Sequence, residues 1–371
     1  MKKFSIVILL LGLSYELKVY CSSQKVYKKK LSDWNIFERK NSSFYLSKNS
    51  IKYSVRNELF SDYATKIRTL HLKTSREKLK IDKNGQFVFP KETILTKTFA
   101  YKKNQLRKIN NLKYSDIIFQ PEGLFKDLHV LETRVFYLSS KGWKSVSYLW
   151  SQDQKDARLS LRSSSLKLEL SLKNQPQNIS FEYLKPHMNQ CKNCHQVFEG
   201  FNKRISPLSF FPKYLNFEIF SDSVSAKNQL IDLAENNLLE KDSILEKIDS
   251  RIDSSSQEYP LELRARTYLE INCAHCHSPH GSASTSGLYL SLAEERRYRL
   301  GICKTAVAAG NGGSTSRYVI KPQAPDDSLL LQRMASTNPQ ARMPELGRQL
   351  THLKGLELIR AWILNLEDVC D

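Results

Sequence analysis

The chain has 371 residues, the length of two or three domains at ~150 residues each. Hydrophobic residues make up 40 % and charged residues 26 %, which argues against a disordered chain, and no apolar run reaches the ~18–20 residues of a membrane-spanning helix. Lys and Arg number 57 against 38 Asp and Glu, a formal charge of +19, so the surface favours anionic partners.

Residues 1–20 read as an export signal: Lys2 and Lys3 precede an apolar core from Phe4 to Leu13 that is too short to span a bilayer. Cys21 follows and is a candidate for lipid attachment, which would anchor the chain to the inner or outer membrane; Tyr20, large where a small residue is expected, favours plain cleavage nearby. Either route predicts a periplasmic or cell-envelope protein, in a compartment where disulfides persist. Residues 21–50, rich in Lys and Ser, are expected to form a basic linker.

From 51 to 185 the pattern predicts a β-rich domain, a sandwich or small barrel. Phe87–Val88 and Thr93–Thr96 are β-rich runs beside Pro90, and Leu131–Leu138 and Trp143–Trp150 flank the turn Ser139–Gly142 as a hairpin. Leu166, Leu168, Leu170 and Leu172 alternate with polar residues at the period of a half-buried strand. Residues 186–258 are expected to be a helical segment, with a helix over Asn228–Ile248 and a Ser-rich linker after it. Residues 259–371 are expected to form a compact helical unit, with helices over Leu263–Asn272 and Gly355–Leu366.

Four of the seven cysteines stand in two short patterns, Cys191-Lys192-Asn193-Cys194-His195 and Cys273-Ala274-His275-Cys276-His277. This spacing is the attachment signature of c-type haem. Two cysteines three apart lie on one side of a helical turn and can form thioethers to both vinyl groups, and the adjacent histidine then reaches the iron. Zinc knuckles or a redox dithiol would use Cys-x-x-Cys but leave a following histidine, twice, unexplained. Two covalent haem c groups are therefore expected, with His195 and His277 as metal ligands.

For the second iron Met343, in Arg342-Met343-Pro344, is the expected sixth ligand; Met334 competes but falls in a helical pattern. A His/Met pair raises the potential and closes the iron, which is electron-transfer chemistry. For the first iron no Met or further His lies between His195 and the second motif. Met188 and His187 are poorly placed, and His71, His129, His280 and His352 are remote. A remote ligand, a lysine or an open position remain. Cys303 and Cys370 form either a disulfide or two free thiols.

The C-terminal part resembles bacterial class I cytochrome c domains, through Asn272–His277 and Arg342–Pro344. The chain from about residue 50 resembles an uncharacterised family of bacterial dihaem c-type cytochromes. Leu59–Ala64, Phe89–Phe99, Glu132–Arg134, Gln190–His195, residues 307–310, Pro344–Arg348 and Cys370 carry that resemblance. It implies two covalent haems and export, but no substrate. The expected fold is multidomain α+β: a β-rich N-terminal domain, then an all-α cytochrome c-like haem-binding part.

The function expected is one-electron transfer by an exported dihaem protein, steered by its basic surface to acidic redox partners. The alternative is a peroxidase-like oxidoreductase working at an open first iron; a haem-based sensor is a third reading. No catalytic residue outside the haem motifs stands out, and nucleic acid is not an expected partner because export removes it and no reading element accompanies the charge.

Overall fold

The computed structural model describes residues 27–74, 76–173, 175–220, 226–241, 248–306 and 316–371. The expected export signal and Cys21 lie outside the described residues, as do residues 307–310. Among the described residues no helix is long and apolar enough to cross a membrane.

The strands begin inside the expected linker. β1 (Phe37–Lys40) and β2 (Ser43–Leu46) form a hairpin, followed by β3 (Ser50–Tyr53). The basic residues of this stretch alternate with Phe37, Phe44 and Ile51, whose burial outweighs the charge density that suggested a linker. β4 (Thr65–His71) is followed by the small hairpin of β5 (Lys80–Ile81) and β6 (Phe87–Val88). The long strand β7 (Ile94–Lys102) then leads to β8 (Leu106–Ile109) and β9 (Leu112–Lys113). β10 (Leu128–Ser139) and β11 (Gly142–Trp150) pair from Glu132↔Leu149 to Ser139↔Gly142, the hairpin expected around the 139–142 turn. β12 (Ala157–Leu159), β13 (Ser164–Leu170) and β14 (Ile179–Lys185) complete this part.

Six of these strands make an antiparallel sheet in the order β12-β11-β10-β7-β4-β3, and four make a second sheet in the order β14-β13-β8-β9. Central strand β7 is buried on both faces because its side chains alternate between two cores. On one face Phe99 and Tyr101 pack with Leu131 against Leu106, Leu168, Leu170 and Tyr183 of the second sheet. On the same face, one end along, Leu95, Leu70 and Phe136 pack against Phe210, Leu215, Leu230 and Ile271, which lie far down the chain. Ile94, Val135, Val146 and Tyr148 line the other face beneath Trp34 and Ile36.

After residue 185 the helices among the described residues are few. α1 (Cys191–His195) runs into the hairpin β15 (Gln196–Glu199) and β16 (Asn202–Ile205). α2 (Pro212–Leu215) and a further hairpin, β17 (Glu218–Phe220) with β18 (Ala226–Asn228), precede α3 (Gln229–Glu235). α4 (Leu261–Asn272), α5 (Leu329–Ala335) and α6 (Leu353–Leu364) carry the C-terminal part.

The expectation of an all-α cytochrome c-like part is therefore corrected: the described residues are about 30 % strand and 18 % helix. Between α4 and α5 the described residues form turns, isolated bridges and one short 3-10 turn, Ser284–Ser286. The physical reason is local. Gly287 and Gly301 take φ of +59° and +100°, and Pro279, Pro322 and Pro325 interrupt any helical period. In the 186–258 segment, the β-branched and aromatic runs around Val197, Phe198 and Ile205 pair as hairpins. The helix expected over Asn228–Ile248 is described as α3 only to Glu235, and residues 242–247 lie outside the described residues.

α4 and α6 cross where Gly355 meets Tyr268; a Cβ on Gly355 would stand 2.3 Å from the Tyr268 hydroxyl. Around this crossing Leu269, Ile359, Trp362 and Ile363 form the C-terminal core. Cys303 and Cys370 are joined in a disulfide with Cα atoms 5.2 Å apart and 67 residues of sequence separation. It ties the segment after α6 to the loop before α5. Closing a loop of that size restricts the unfolded chain, so Cys303→Ser/Cys370→Ser should lose about 4 kcal/mol of stability. Urea midpoints of the variant and of the reduced parent, measured side by side, check this and should agree.

Candidate functional site

The first motif sits on the face of the six-stranded sheet between its two cores. His187 caps the turn Met188–Gln190, its Nδ1 accepting from Asn189 N at 3.1 Å, and α1 follows directly. The His195 ring packs on Phe136 of β10 with centroids 4.5 Å apart. Its Nδ1–H donates to the Ser206 carbonyl at 2.9 Å, leaving Nε2 as the nitrogen open to a metal. Burial, opposed by that hydrogen bond and reinforced by the nearby Lys97 and Arg134, pushes the His195 pKa down to about 3. The ring is neutral, the form that ligates.

A row of cations crosses the sheet beside it. Arg68 of β4 and Arg134 of β10 are the cross-strand neighbours of Lys97 on β7. Like charges in adjacent register are costly, and each flank is compensated. Arg134 makes a two-point ion pair with Glu132 at 2.8 and 3.1 Å, and Tyr183 donates to the same carboxylate at 2.9 Å. Glu58 accepts from Arg68 at 2.6 Å and from Lys66 at 3.1 Å. Among the described residues Lys97 has no carboxylate partner; its ammonium lies 5.3 Å from the Phe99 ring. Burial and the neighbouring Arg68, Lys66 and Arg134 hold its pKa well below the usual lysine value.

The second motif begins where α4 ends. Cys276 N and His277 N donate to the Cys273 carbonyl at 3.1 and 2.9 Å, a tight turn that brings both cysteines to one side. Gly281 lies beneath it, where a Cβ would come within 2.2 Å of the Cys276 carbonyl oxygen. His277 Nδ1 is 3.4 Å from Ser286 Oγ. Burial lowers its pKa.

A small pocket, of about 20 Å³, has Cys273, Met343, Met334, His352, Phe60 and Tyr268 among its walls. It brings the expected ligand Met343 to the second motif, together with its competitor. Met334 is the more deeply buried and belongs to the C-terminal core, whereas Met343 is half-buried on the loop. His352 is held otherwise: it stacks on Phe60 at 4.4 Å and its Nδ1 is 3.1 Å from the Tyr268 hydroxyl. A wider cleft of about 790 Å³, counted with its mouth, runs from Ser163–Ser165 and Lys185–Pro186 past Gln190 to Arg342 and Gly347.

Sequence reasoning missed what holds the Met343 loop. The buried Arg348 donates to the Met343 carbonyl at 2.7 Å and to the carbonyls of Arg333 and Ser336 at 3.0 and 2.9 Å. Asp62, from the segment before β4, accepts from Gln349 N and Leu350 N at 2.7 Å each. Tyr63 donates to the Thr351 carbonyl at 2.9 Å. The signal was present in the compact Leu59–Ala64 phrase, but nothing in its spacing pointed across the chain. Burial outweighs the two N–H donors and pushes Asp62 up to about 6. A carboxyl with a raised folded-state pKa contributes stability below its unfolded pKa and loses it as pH rises through the folded value. Between about pH 4 and 6 this contribution should fall with rising pH, and Asp62→Asn should flatten that limb of the urea midpoint profile.

The remaining candidates for the first iron serve other contacts. His71 Nδ1 is 2.7 Å from Ser50 Oγ, and His129 Nδ1 is 2.6 Å from the Ile118 carbonyl. His280 is exposed and donates to the Phe198 carbonyl. Met188 packs under the core that contains Trp34.

The two motifs meet. The donor atoms of Cys194, His275 and Cys276 lie within 4.8 Å of one another. Such a trio would give a zinc ion three ligands, one short of a closed structural site among the described residues. The donor set suits covalent haem better. Each motif offers two cysteines and one neutral histidine whose Nδ1 side is engaged. His195, Cys273 and His277 are desolvated by surrounding protein and yet only half-buried, so they border open space.

No family model, curated protein or solved structure matches the chain. With no match and a mostly β architecture, the expected membership of the dihaem c-type cytochrome family, and the expected class I cytochrome c domain, are withdrawn.

Proposed function

We propose that the chain is an exported electron-transfer protein that carries two covalently attached haems, on Cys191, Cys194 and His195 and on Cys273, Cys276 and His277. The observation that carries this reading is shared by both motifs: a histidine whose pKa burial lowers, with its Nδ1 beside a neighbouring oxygen, follows directly on a cysteine pair. When bound, each haem supplies a one-electron iron couple. The protein's own part is to hold the imidazoles in one orientation, exclude water beside Phe136 and Tyr268, and keep Met343 facing the second motif on a loop clamped by Arg348. The Cys303–Cys370 disulfide supports an oxidising compartment. The charge of +19 favours acidic redox partners.

The test is expression with haem-attachment machinery, then haem-to-protein stoichiometry and an electron paramagnetic resonance spectrum of the oxidised protein. Two haems per chain and a low-spin ferric signal from the second iron are expected. A stoichiometry below two overturns the dihaem reading. A high-spin signal at the first site would overturn pure electron transfer and put an open iron there, with peroxide as the first substrate to try.

A further inference from the structure

Two motifs separated by most of a domain in sequence are docked together by specific hydrogen bonds. Ser282 Oγ donates to the Asn193 carbonyl at 2.6 Å, and Cys276 Sγ lies 3.3 Å from the same oxygen. Behind them β15 is stitched to the second motif: Phe198 N donates to the His280 carbonyl at 3.0 Å, and His280 Nδ1 donates back to the Phe198 carbonyl at 2.9 Å. These bonds seat one cysteine of each motif, Cys194 and Cys276, sulfur against sulfur within 4.8 Å.

We propose that the Cys194–Cys276 contact is an electron bridge between the two attachment sites, which makes the haems one coupled pair rather than two independent carriers. The inference rests on the dihaem reading above. With both haems attached through these cysteines, the Cys194–Cys276 contact would join the two attachment sites, and each haem would supply a one-electron couple, so that one would lose the electron the other gains. No covalent bond changes and no proton is transferred. Asn193, Ser282 and His280 are positioning residues, since they act only by holding the motifs in register.

The experiment uses the full-length protein carrying both haems. Its oxidised resonance spectrum is compared with that of a half-reduced sample, in which one paramagnetic neighbour has gone. The remaining ferric signal should narrow and saturate at lower microwave power. Redox titrations of Cys191→Ala/Cys194→Ala and of Cys273→Ala/Cys276→Ala should place the surviving midpoint about tenfold in equilibrium constant, ~59 mV for one electron, from its value in the parent. Ser282→Ala, at the surface end of the contact, should reduce the coupling with both haems retained. Two haems per chain, a half-reduced signal unchanged from the oxidised one, and unshifted midpoints would overturn the bridge while leaving the dihaem reading intact. A stoichiometry below two would overturn the dihaem reading itself. The half-reduced comparison needs no variant, so it decides the matter even if a single-haem chain fails to fold.

Discussion

Met343→Ala should convert the second iron from a low-spin to a high-spin ferric signal, whereas Met334→Leu should leave it low-spin. Both methionines border the cavity beside Cys273, but they are held differently. Met334 belongs to α5 and is packed among Leu331, Ile359 and Trp362. Met343 sits on a loop whose carbonyl is gripped by Arg348 and whose amide donates to the Arg333 carbonyl at 2.9 Å, so its thioether is the one presented at a fixed place. Met343→His should keep six ligands and lower the midpoint, because a thioether favours the reduced iron more than a second imidazole does. A shift of tenfold or more in equilibrium constant, at least ~59 mV for one electron, is the expected size. A low-spin signal retained in Met343→Ala would assign the ligand to Met334 or His352.

The second large effect belongs to the sheet. Arg134→Met should cost about 3–5 kcal/mol of stability, read as a lowered urea midpoint. Glu132 is wholly buried, and its carboxylate is satisfied by Arg134 and the Tyr183 hydroxyl. Removing the guanidinium strands that charge inside the core between the two sheets. The double variant Glu132→Leu/Arg134→Met should recover most of the loss, because a buried pair replaced by packed apolar groups is close to neutral. If the single variant were as stable as the parent, the ion pair would not be holding the sheet beneath the first motif.

The cysteine pairs with their histidines, and the β-rich stretch, were legible from sequence alone because both signals are local. A Cys-x-x-Cys-His turn needs five residues, and the alternation along β10 and β13 repeats every second residue. The 139–142 hairpin was legible for the same reason. The helices α4 and α6 could be read from their apolar period, but the turns between them could not be told from an all-helical part. Single glycines at positive φ, such as Gly301, decide the chain's course there one residue at a time. The hairpin of β1 and β2 was hidden because lysine density resembles a linker, while the deciding energy is the burial of Phe44 against Phe125, which lies in a distant loop.

What required the folded molecule is everything carried by contacts across large sequence separations. Asp62 and Phe60 reach the Met343 loop, Lys97 stands between Arg68 and Arg134, and Cys194 meets Cys276. Local spacing specifies which residues can bind a group, since the backbone fixes neighbours within a turn. It does not specify which bound groups face one another, since that depends on how sheet and loops bury their apolar faces together. Each motif is thus written in five consecutive residues, and the pairing of the motifs is decided by the core that packs Phe136, Phe210 and Ile271 into one cluster.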